Sequence, residues 1–392
     1  MSDDKNIDTK LVEVGRRKEW THGIVNPPVY HASTCVFHTL SDLEQATAHP
    51  DDHLYYGRRG TPTSWALEEA MTELEPGGAG TKLTPSGVSA IAAAFIAFLR
   101  PGDHLLIADT VYEPSRLITQ GLLKSLGVSH DFYDPLIGSD IEKLIQPNTK
   151  VIFVESPGSL TFEVQDIPAI AKVAHEHDIV VICDNTWATP LYFNAYNHGA
   201  DVVIHALTKY VVGHSDAMLG SVGANARHWP RLKNTVYRLG LCASPDDAYL
   251  GLRGLRTMSA RLKQQGQAAL ELARRLETHD EVAKVLHPAL EQCPGHTIWK
   301  RDFKGASGLF SIVLKRGEWK DLATLVDHMD YFRMGFSWGG YESLILPARF
   351  ERTAVRWAAS GPLLRLNIGL EDIEDLYSDL SKGLDRYAKA LA

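Results

Sequence analysis

The chain predicts an α/β fold, with a large domain on a mostly parallel sheet and a smaller C-terminal α+β domain. Three observations carry this. Between residue 61 and about 225, short apolar runs alternate with amphipathic helical stretches. A long helical stretch from about 245 to 276 then reads as a bridge. Beyond it, two apolar runs (309–314 and 363–368) and a closing helix (372–391) make a second unit. With 392 residues and 44% hydrophobic content, the chain is long enough for two cores. Strands separated by helices form parallel sheets covered on both faces, and reactive groups gather at the carboxyl ends of such strands.

Residues 1–60 are expected to be a mostly irregular arm, proline-rich at Val25-Asn-Pro27-Pro28-Val-Tyr30, that lies on something other than a core of its own. Thr61-Pro62 can cap a helix running to about Glu75, with proline at the first helical position. Pro76-Gly77-Gly78-Ala79-Gly80 breaks the chain. Helices then fit 86–99, 114–126, 167–177 and 190–197, and strands fit 104–108, 151–155, 179–184, 202–207 and 219–224. The expected divisions are an arm over 1–60, a large domain over 61–255 and a C-terminal domain over 256–392.

Composition excludes several classes. The net charge of −8 is spread along the chain, which argues against nucleic acid or an anionic membrane as partner. The longest apolar stretch, 88–99, is about half a membrane span. The polar opening residues carry no apolar signal core, so a soluble cytoplasmic protein is expected. Four cysteines stand far apart with no C-x-x-C pair, and Cys183 lies inside an apolar strand as a packed thiol. The histidines show no H-E-x-x-H spacing, and no metal is expected.

Lys209 is the most informative residue. It follows the apolar run Val202-Val-Ile-His-Ala-Leu207 and Thr208, and precedes Tyr210 and the Gly213 turn. A lysine in a dry pocket loses its charge and becomes a nucleophilic amine suited to Schiff-base chemistry. Taken alone, a structural lysine just past a strand end is the commoner case. Asp184 ends another apolar run and needs a cationic partner there, such as the ring nitrogen of a pyridine cofactor; a capping aspartate is the alternative. Ser86-Gly87-Val88 opens a helix and suits a phosphate, or is an ordinary N-cap. Tyr112 stands where a ring can stack on a planar cofactor, or is simply half-buried. Tyr56 and Arg58, in the arm, suit phosphate binding or a solvated turn. Arg365 interrupts a strand of the second domain and demands an anion, either a substrate carboxylate or an acid such as Glu371.

Four segments give these signals one context: Tyr56-Gly-Arg58, Glu155-Ser-Pro-Gly-Ser-Leu-Thr-Phe-Glu-Val-Gln-Asp166, Ala206-Leu-Thr-Lys-Tyr-Val-Val-Gly-His-Ser-Asp-Ala217 and Ser337-Trp-Gly-Gly-Tyr-Glu-Ser-Leu344. Their order and spacing resemble the pyridoxal 5′-phosphate enzymes of Cys/Met metabolism over essentially the whole chain, most closely the bacterial cystathionine β-lyase branch. The resemblance implies the fold type I (aspartate aminotransferase-like) architecture of PLP-dependent transferases. It also implies that Lys209 carries the cofactor and later shuttles a proton, that Asp184 pairs with the ring nitrogen and that Tyr112 stacks on the ring. Ser86, Gly87, Val88 and Thr208 would hold the phosphate with Tyr56 and Arg58 of a neighbouring subunit, and Arg365, with Ser337 and Trp338, would grip the substrate carboxylate. A homo-oligomer follows, a tetramer made of two dimers. The implied reaction is β-elimination from cystathionine. The rivals are a γ-lyase, a γ-synthase, a broader cysteine-conjugate β-lyase and a catalytically silent regulatory relative. The sequence departs from many relatives at Ala206 and Leu207, where one side-chain donor to the phosphate is absent. Glu155-Ser-Pro-Gly lacks the Asn-Pro that usually follows in the γ branches, which favours β-chemistry.

Overall fold

A computed structural model describes residues 5–51, 53–359 and 361–392. A seven-stranded sheet forms the centre of the larger part. Its strands are β1 (Gly80–Thr84), β2 (His104–Ala108), β3 (Ser129–Tyr133), β4 (Thr149–Glu155), β5 (Val180–Asp184), β6 (Val202–His205) and β7 (Gly220–Ala224). They lie in the order β1-β7-β6-β5-β4-β2-β3, with β3, β2, β4, β5 and β6 mutually parallel and β7 antiparallel to both its neighbours. The central strands are apolar on both faces because helices cover both, as in β2 and β6, where every residue is buried.

The helices of this part and the arm are α1 (Ile7–Glu13), α2 (Lys18–Thr21), α3 (Leu40–Ala48), α4 (Pro62–Leu74), α5 (Gly87–Phe98), α6 (Glu113–Ile118), α7 (Ile167–Glu176), α8 (Thr189–Tyr192), α9 (Trp229–Arg238) and α10 (Pro245–Leu255). Their starts follow from the sequence. Proline occupies the first turn of α4, α6, α7, α8, α9 and α10, where a missing N–H costs nothing. At α4 the Ser64 hydroxyl accepts the Thr61 N–H at 2.9 Å. The 20-residue α11 (Met258–Glu277) leads to the second sheet, made of β8 (Val282–Leu286), β9 (Leu309–Leu314), β10 (Arg333–Met334), β11 (Leu344–Ala348) and β12 (Leu363–Asn367). The order is β10-β11-β12-β9-β8, antiparallel except for the β10–β11 pair. Two short helices, α12 (His296–Asp302) and α13 (Ala323–Val326), precede the closing α14 (Ile373–Ala390), whose cap Asp372 accepts the Glu374 N–H. Leu376, Leu380 and Leu384 of α14 pack with Phe310, Ile312 and Leu364 of the sheet in a core separate from that of the larger sheet.

Several expected boundaries move. The strand expected over 202–207 stops at His205, because the chain then turns: Lys209 N–H donates to Ala206 O at 3.0 Å. The helix expected over 114–126 begins at Glu113 and loosens into a π-type turn at Thr119–Leu123. The helix expected over 190–197 is two separate turns, because Phe193 is extended and buried between them. The arm is less irregular than expected. Leu11 and Val14 are buried against Ala66, Leu67 and Leu262 of α4 and α11, and Arg256 donates to Leu11 O at 2.6 Å and Val14 O at 2.8 Å. The stretch after α2 behaves differently: Ile24, Val25, Val36 and Leu40 are all exposed.

Candidate active site

The carboxyl ends of β4, β5 and β6 supply the floor of a pocket between the two sheets. Register pairs Glu155 with Asp184, so both carboxyl groups leave the same face. Asp184 Oδ1 accepts the Thr186 N–H at 2.9 Å and the Thr186 hydroxyl at 2.5 Å. These bonds close a turn and cap no helix, since the N-cap of the following α8 is Ala188, and they leave Asp184 in the pocket wall beside Lys209. Glu155 Oε2 accepts the Tyr112 N–H at 2.8 Å, which seats Tyr112 just ahead of α6.

Lys209 Nζ donates to Ser337 Oγ at 2.6 Å and stands 5.2 Å from the centre of the Trp338 ring. Ser337 has a positive φ of 78°, a conformation that costs a non-glycine residue energy and is sustained by its surroundings. Those surroundings are visible: Arg365 Nη2 donates to Ser337 O at 2.9 Å, and Gly339 N–H donates to Asn367 Oδ1 at 2.9 Å. Arg365 stands on β12 between Leu346 and Ser311. The alternative partner Glu371 is engaged elsewhere, accepting the backbone N–H and the hydroxyl of Ser343, both at 2.8 Å. The second sheet thus delivers both a lysine partner and a guanidinium to a pocket floored by the first.

Burial and neighbouring charge tune these groups. Desolvation, with help from the Arg365 charge, brings Lys209 down to about 8, while Asp184 pulls the other way. Burial lowers Arg365 to about 10. Desolvation raises Asp184, opposed by Thr186, His205 and Lys209. Burial and the adjoining Asp184 push Glu155 well above the usual carboxylate range, with only the Tyr112 N–H opposing. Asp184 has the cationic neighbours and two donors, so Glu155 is the member of the pair that keeps a proton. Burial also raises Tyr112, followed by the Glu155 charge. Cys183, behind the floor, is buried and pushed well up, as a packed thiol should be.

Ser86 is the N-cap of α5: its Oγ accepts the Ser89 N–H at 3.1 Å. The helix start is set close against β6, because a Cβ on Gly87 would come within 2.6 Å of the Ala206 Cβ. Only glycine at 87 allows this approach, and alanine at 206 leaves room for it. Thr208 Oγ1 donates to Leu219 O at 3.1 Å and accepts the Leu219 N–H at 2.8 Å, which ties the Lys209 turn to the approach of β7. Leu207 is fully buried with Leu67 and Leu219. Ser86, Gly87 and Thr208 therefore converge beside the Lys209 turn, and Val88 follows on the half-exposed first turn of α5.

Tyr56 and Arg58 are not brought to this pocket. They line a different cavity with Tyr30, Glu68 and Lys82, and Arg58 Nη1 donates to Tyr237 O at 3.1 Å. The pocket also holds residues to which sequence reasoning assigned no role. Thr186, Trp187, Leu160 and Phe162 line it, and Trp187 bridges the two parts by donating to Leu309 O at 3.1 Å. Glu155 was detectable, since it ends an apolar strand just as Asp184 does. At the rim, Asp109 accepts from Arg116 at 2.5 Å and from the N–H groups of Thr353, Ala354 and Val355, pinning the loop between β11 and β12.

The family described as Cys/Met metabolism PLP-dependent enzyme matches residues 8–385, and the chain belongs to it. A putative cystathionine beta-lyase of Rhizobium johnstonii is 50% identical over 382 residues, which cover 96% of this chain and 95% of that one. Cystathionine beta-lyase MetC of Escherichia coli is 47% identical over 392 residues, covering 98% and 99%. The crystal structure of cystathionine gamma synthase from Xanthomonas oryzae pv. oryzae in complex with aminoacrylate and cysteine superposes with a TM-score of 0.89 at 33% identity, covering 98% of this chain and 99% of that one. The fold is accordingly that of a PLP-dependent enzyme of this family, and the cofactor is pyridoxal 5′-phosphate. The donor set fits it. The pocket places a lysine amine lowered by burial opposite a buried acid, beside the N-terminus of a 12-residue helix.

Proposed function

We propose that this chain is a carbon–sulfur β-lyase that cleaves L-cystathionine to homocysteine, pyruvate and ammonia, in transsulfuration and methionine biosynthesis. It works in the cytoplasm as a homotetramer built of two dimers. The observation that carries the reading is Lys209 Nζ held on Ser337 Oγ at 2.6 Å, in a pocket shared with Asp184 and Arg365. The names of the relatives supply the substrate.

In this reading Lys209 holds the cofactor, Asp184 pairs with its ring nitrogen and Tyr112 stacks on its ring. The N-terminal turn of α5 (Ser86, Gly87, Val88) and Thr208 hold the phosphate, with Tyr56 and Arg58 of a neighbouring subunit. The bound cofactor supplies an electron sink for the α-carbon of the substrate. Arg365, whose guanidinium already shares the Ser337 carbonyl, fixes the α-carboxylate. With the amine near 8, Lys209 can take the α-proton and return it near neutral pH. Ser337 receives the lysine when it is free and so keeps it aimed into the pocket. Trp187, Trp338, Leu160 and Phe162 wall the pocket with apolar surface and limit water.

Lys209→Ala is expected to lower turnover of cystathionine by more than about a thousandfold while leaving the far-UV circular dichroism unchanged. Substantial residual lyase activity would sink the assignment. Product analysis tests β against γ cleavage, since pyruvate marks the first and 2-oxobutyrate the second.

A further inference from the structure

Behind the pocket floor lies a buried acid that the mechanism above does not use. Glu75 is the C-cap of α4 and is 4% exposed. Its Oε1 accepts from Asn185 Nδ2 at 2.9 Å and lies 2.9 Å from His205 Nε2. Asn185 directly follows Asp184, and His205 is the last residue of β6, four before Lys209. One carboxylate oxygen therefore holds the ends of both strands that lead into the site.

The two ends are also bonded to each other. Asn185 N–H donates to Ile204 O at 3.0 Å, and Asn185 Nδ2 reaches Phe193 O at 2.8 Å. Just past His205, the Ala206 N–H donates to Thr186 Oγ1 at 2.9 Å, and that hydroxyl donates to Asp184 Oδ1 at 2.5 Å. A shift of either strand end would be passed to Asp184 through this hydroxyl. The pairing is equally specific. Glu75 Oε2 is buried with no hydrogen-bond partner, and among the described residues His205 is the one basic side chain paired with Glu75. A buried carboxyl group is costly unless its oxygens are engaged, so the contacts of Oε1 with Asn185 and His205 are the ones that hold it in place. Both contacts lie within one residue of a group that touches Asp184 or its Thr186 brace.

We infer that Glu75 and His205 form a positioning device for the cofactor site. The pair locks the ends of β5 and β6 so that Asp184 and Lys209 are presented to one bound ring. The inference rests on the reading that Lys209 and Asp184 hold pyridoxal phosphate. The other groups that face the pair are accounted for. Asp184 is faced by Glu155 and Lys209, and both Asp184 and Glu75 by Cys183; Glu75 also faces Tyr196. Glu155, Cys183 and Tyr196 are all pushed well up by burial and stay neutral.

The test uses the holoenzyme and the position of its visible cofactor absorbance, together with the dissociation constant for pyridoxal phosphate. Glu75→Gln and His205→Leu are expected to weaken cofactor binding at least about tenfold, the effect of one lost charge-assisted bond. Both should also shift the visible absorbance maximum of the bound cofactor, because Asp184 and Lys209 no longer address the ring from fixed positions. His205→Gln retains an N–H donor to Glu75, so affinity and absorbance should both return towards those of wild type. This milder variant also serves if His205→Leu does not fold. Affinities within about twofold of wild type with an unmoved absorbance maximum overturn the inference, as does a loss of thermal stability alone. A wild-type protein that does not bind pyridoxal phosphate overturns the functional reading itself; a wild type that binds, with variants behaving like it, overturns only the positioning role.

Discussion

The pocket at the ends of β5 and β6 and the arm segment around Tyr56–Arg59 are both heavily braced, and they differ in what the bracing faces. In the pocket every support converges on one enclosed space: Ser337 and Trp338 on Lys209, Thr186 on Asp184, Glu155 on Tyr112. In the arm, Arg59 stacks on Tyr237 at 4.1 Å, and Asp51 accepts the Tyr237 hydroxyl at 2.5 Å and Lys233 at 2.7 Å. Arg58 adds its bond to Tyr237 O, yet this cluster meets neither Lys209 nor Asp184. Fixing two arginines in place costs side-chain entropy. Such a cost is sensible where the fixed groups serve a ligand, which in the proposed function lies in another copy of the chain.

The largest effect sharpens this contrast directly. Arg58→Ala and Lys209→Ala proteins should each be inactive alone. Mixed and allowed to exchange subunits, they should recover about a quarter of wild-type activity, because half the dimers are mixed and each has one intact site. A mixture as inactive as its parts would break the comparison and return the arm to a purely local role.

A second test separates bracing of the rim from bracing of the floor. Asp109→Ala leaves Arg116 buried without its partner and frees the loop at Thr353, so a stability loss of about 3–5 kcal/mol in urea unfolding is expected. A loss below about 1 kcal/mol would mean that the loop is held mainly by the Arg352 contacts with Thr161 and Glu163.

The smallest effect concerns the lysine itself. Its amine titrates at about 8 in the folded, cofactor-free protein against 10.5 when unfolded. Between those values the unfolded chain binds the extra proton, so wild-type stability rises with pH across that window. Below it, burying the charge carries its full penalty. Lys209→Met should therefore stabilise the apoprotein at pH 7 by about 2 kcal/mol, taking ~1.4 kcal/mol per pH unit and subtracting the lost bond to Ser337. The gain should shrink as pH rises towards 10.5, and thermal melts at a series of pH values measure it. A gain independent of pH would show that the amine is not desolvated.

Much of this architecture was legible because it rests on local pattern. The runs that became β2, β5 and β9 are continuous and largely apolar, and Asp184 at a strand end and Lys209 and Tyr112 just after one stand where the fold class places chemistry. Two strands of the large sheet escaped notice for physical reasons. β3 reads Ser-His-Asp-Phe-Tyr at the sheet edge, with one residue buried, and β1 opens on the last glycine of a chain break. Glu75 and His205 escaped as well, since neither belongs to a motif and they meet across 130 residues.

By itself the sequence determined the alternation of strands and helices, the residues able to do chemistry and the family to which they belong, because periodicity and residue type act over a few positions. Tertiary structure alone decided which of those residues meet. It set Ser337 under the lysine, gave Arg365 a role apart from Glu371, joined Glu75 to the two strand ends, and left Tyr56 and Arg58 outside their own chain's pocket. Long-range register and the packing of two sheets fix those contacts, and neither is written in any short stretch of chain.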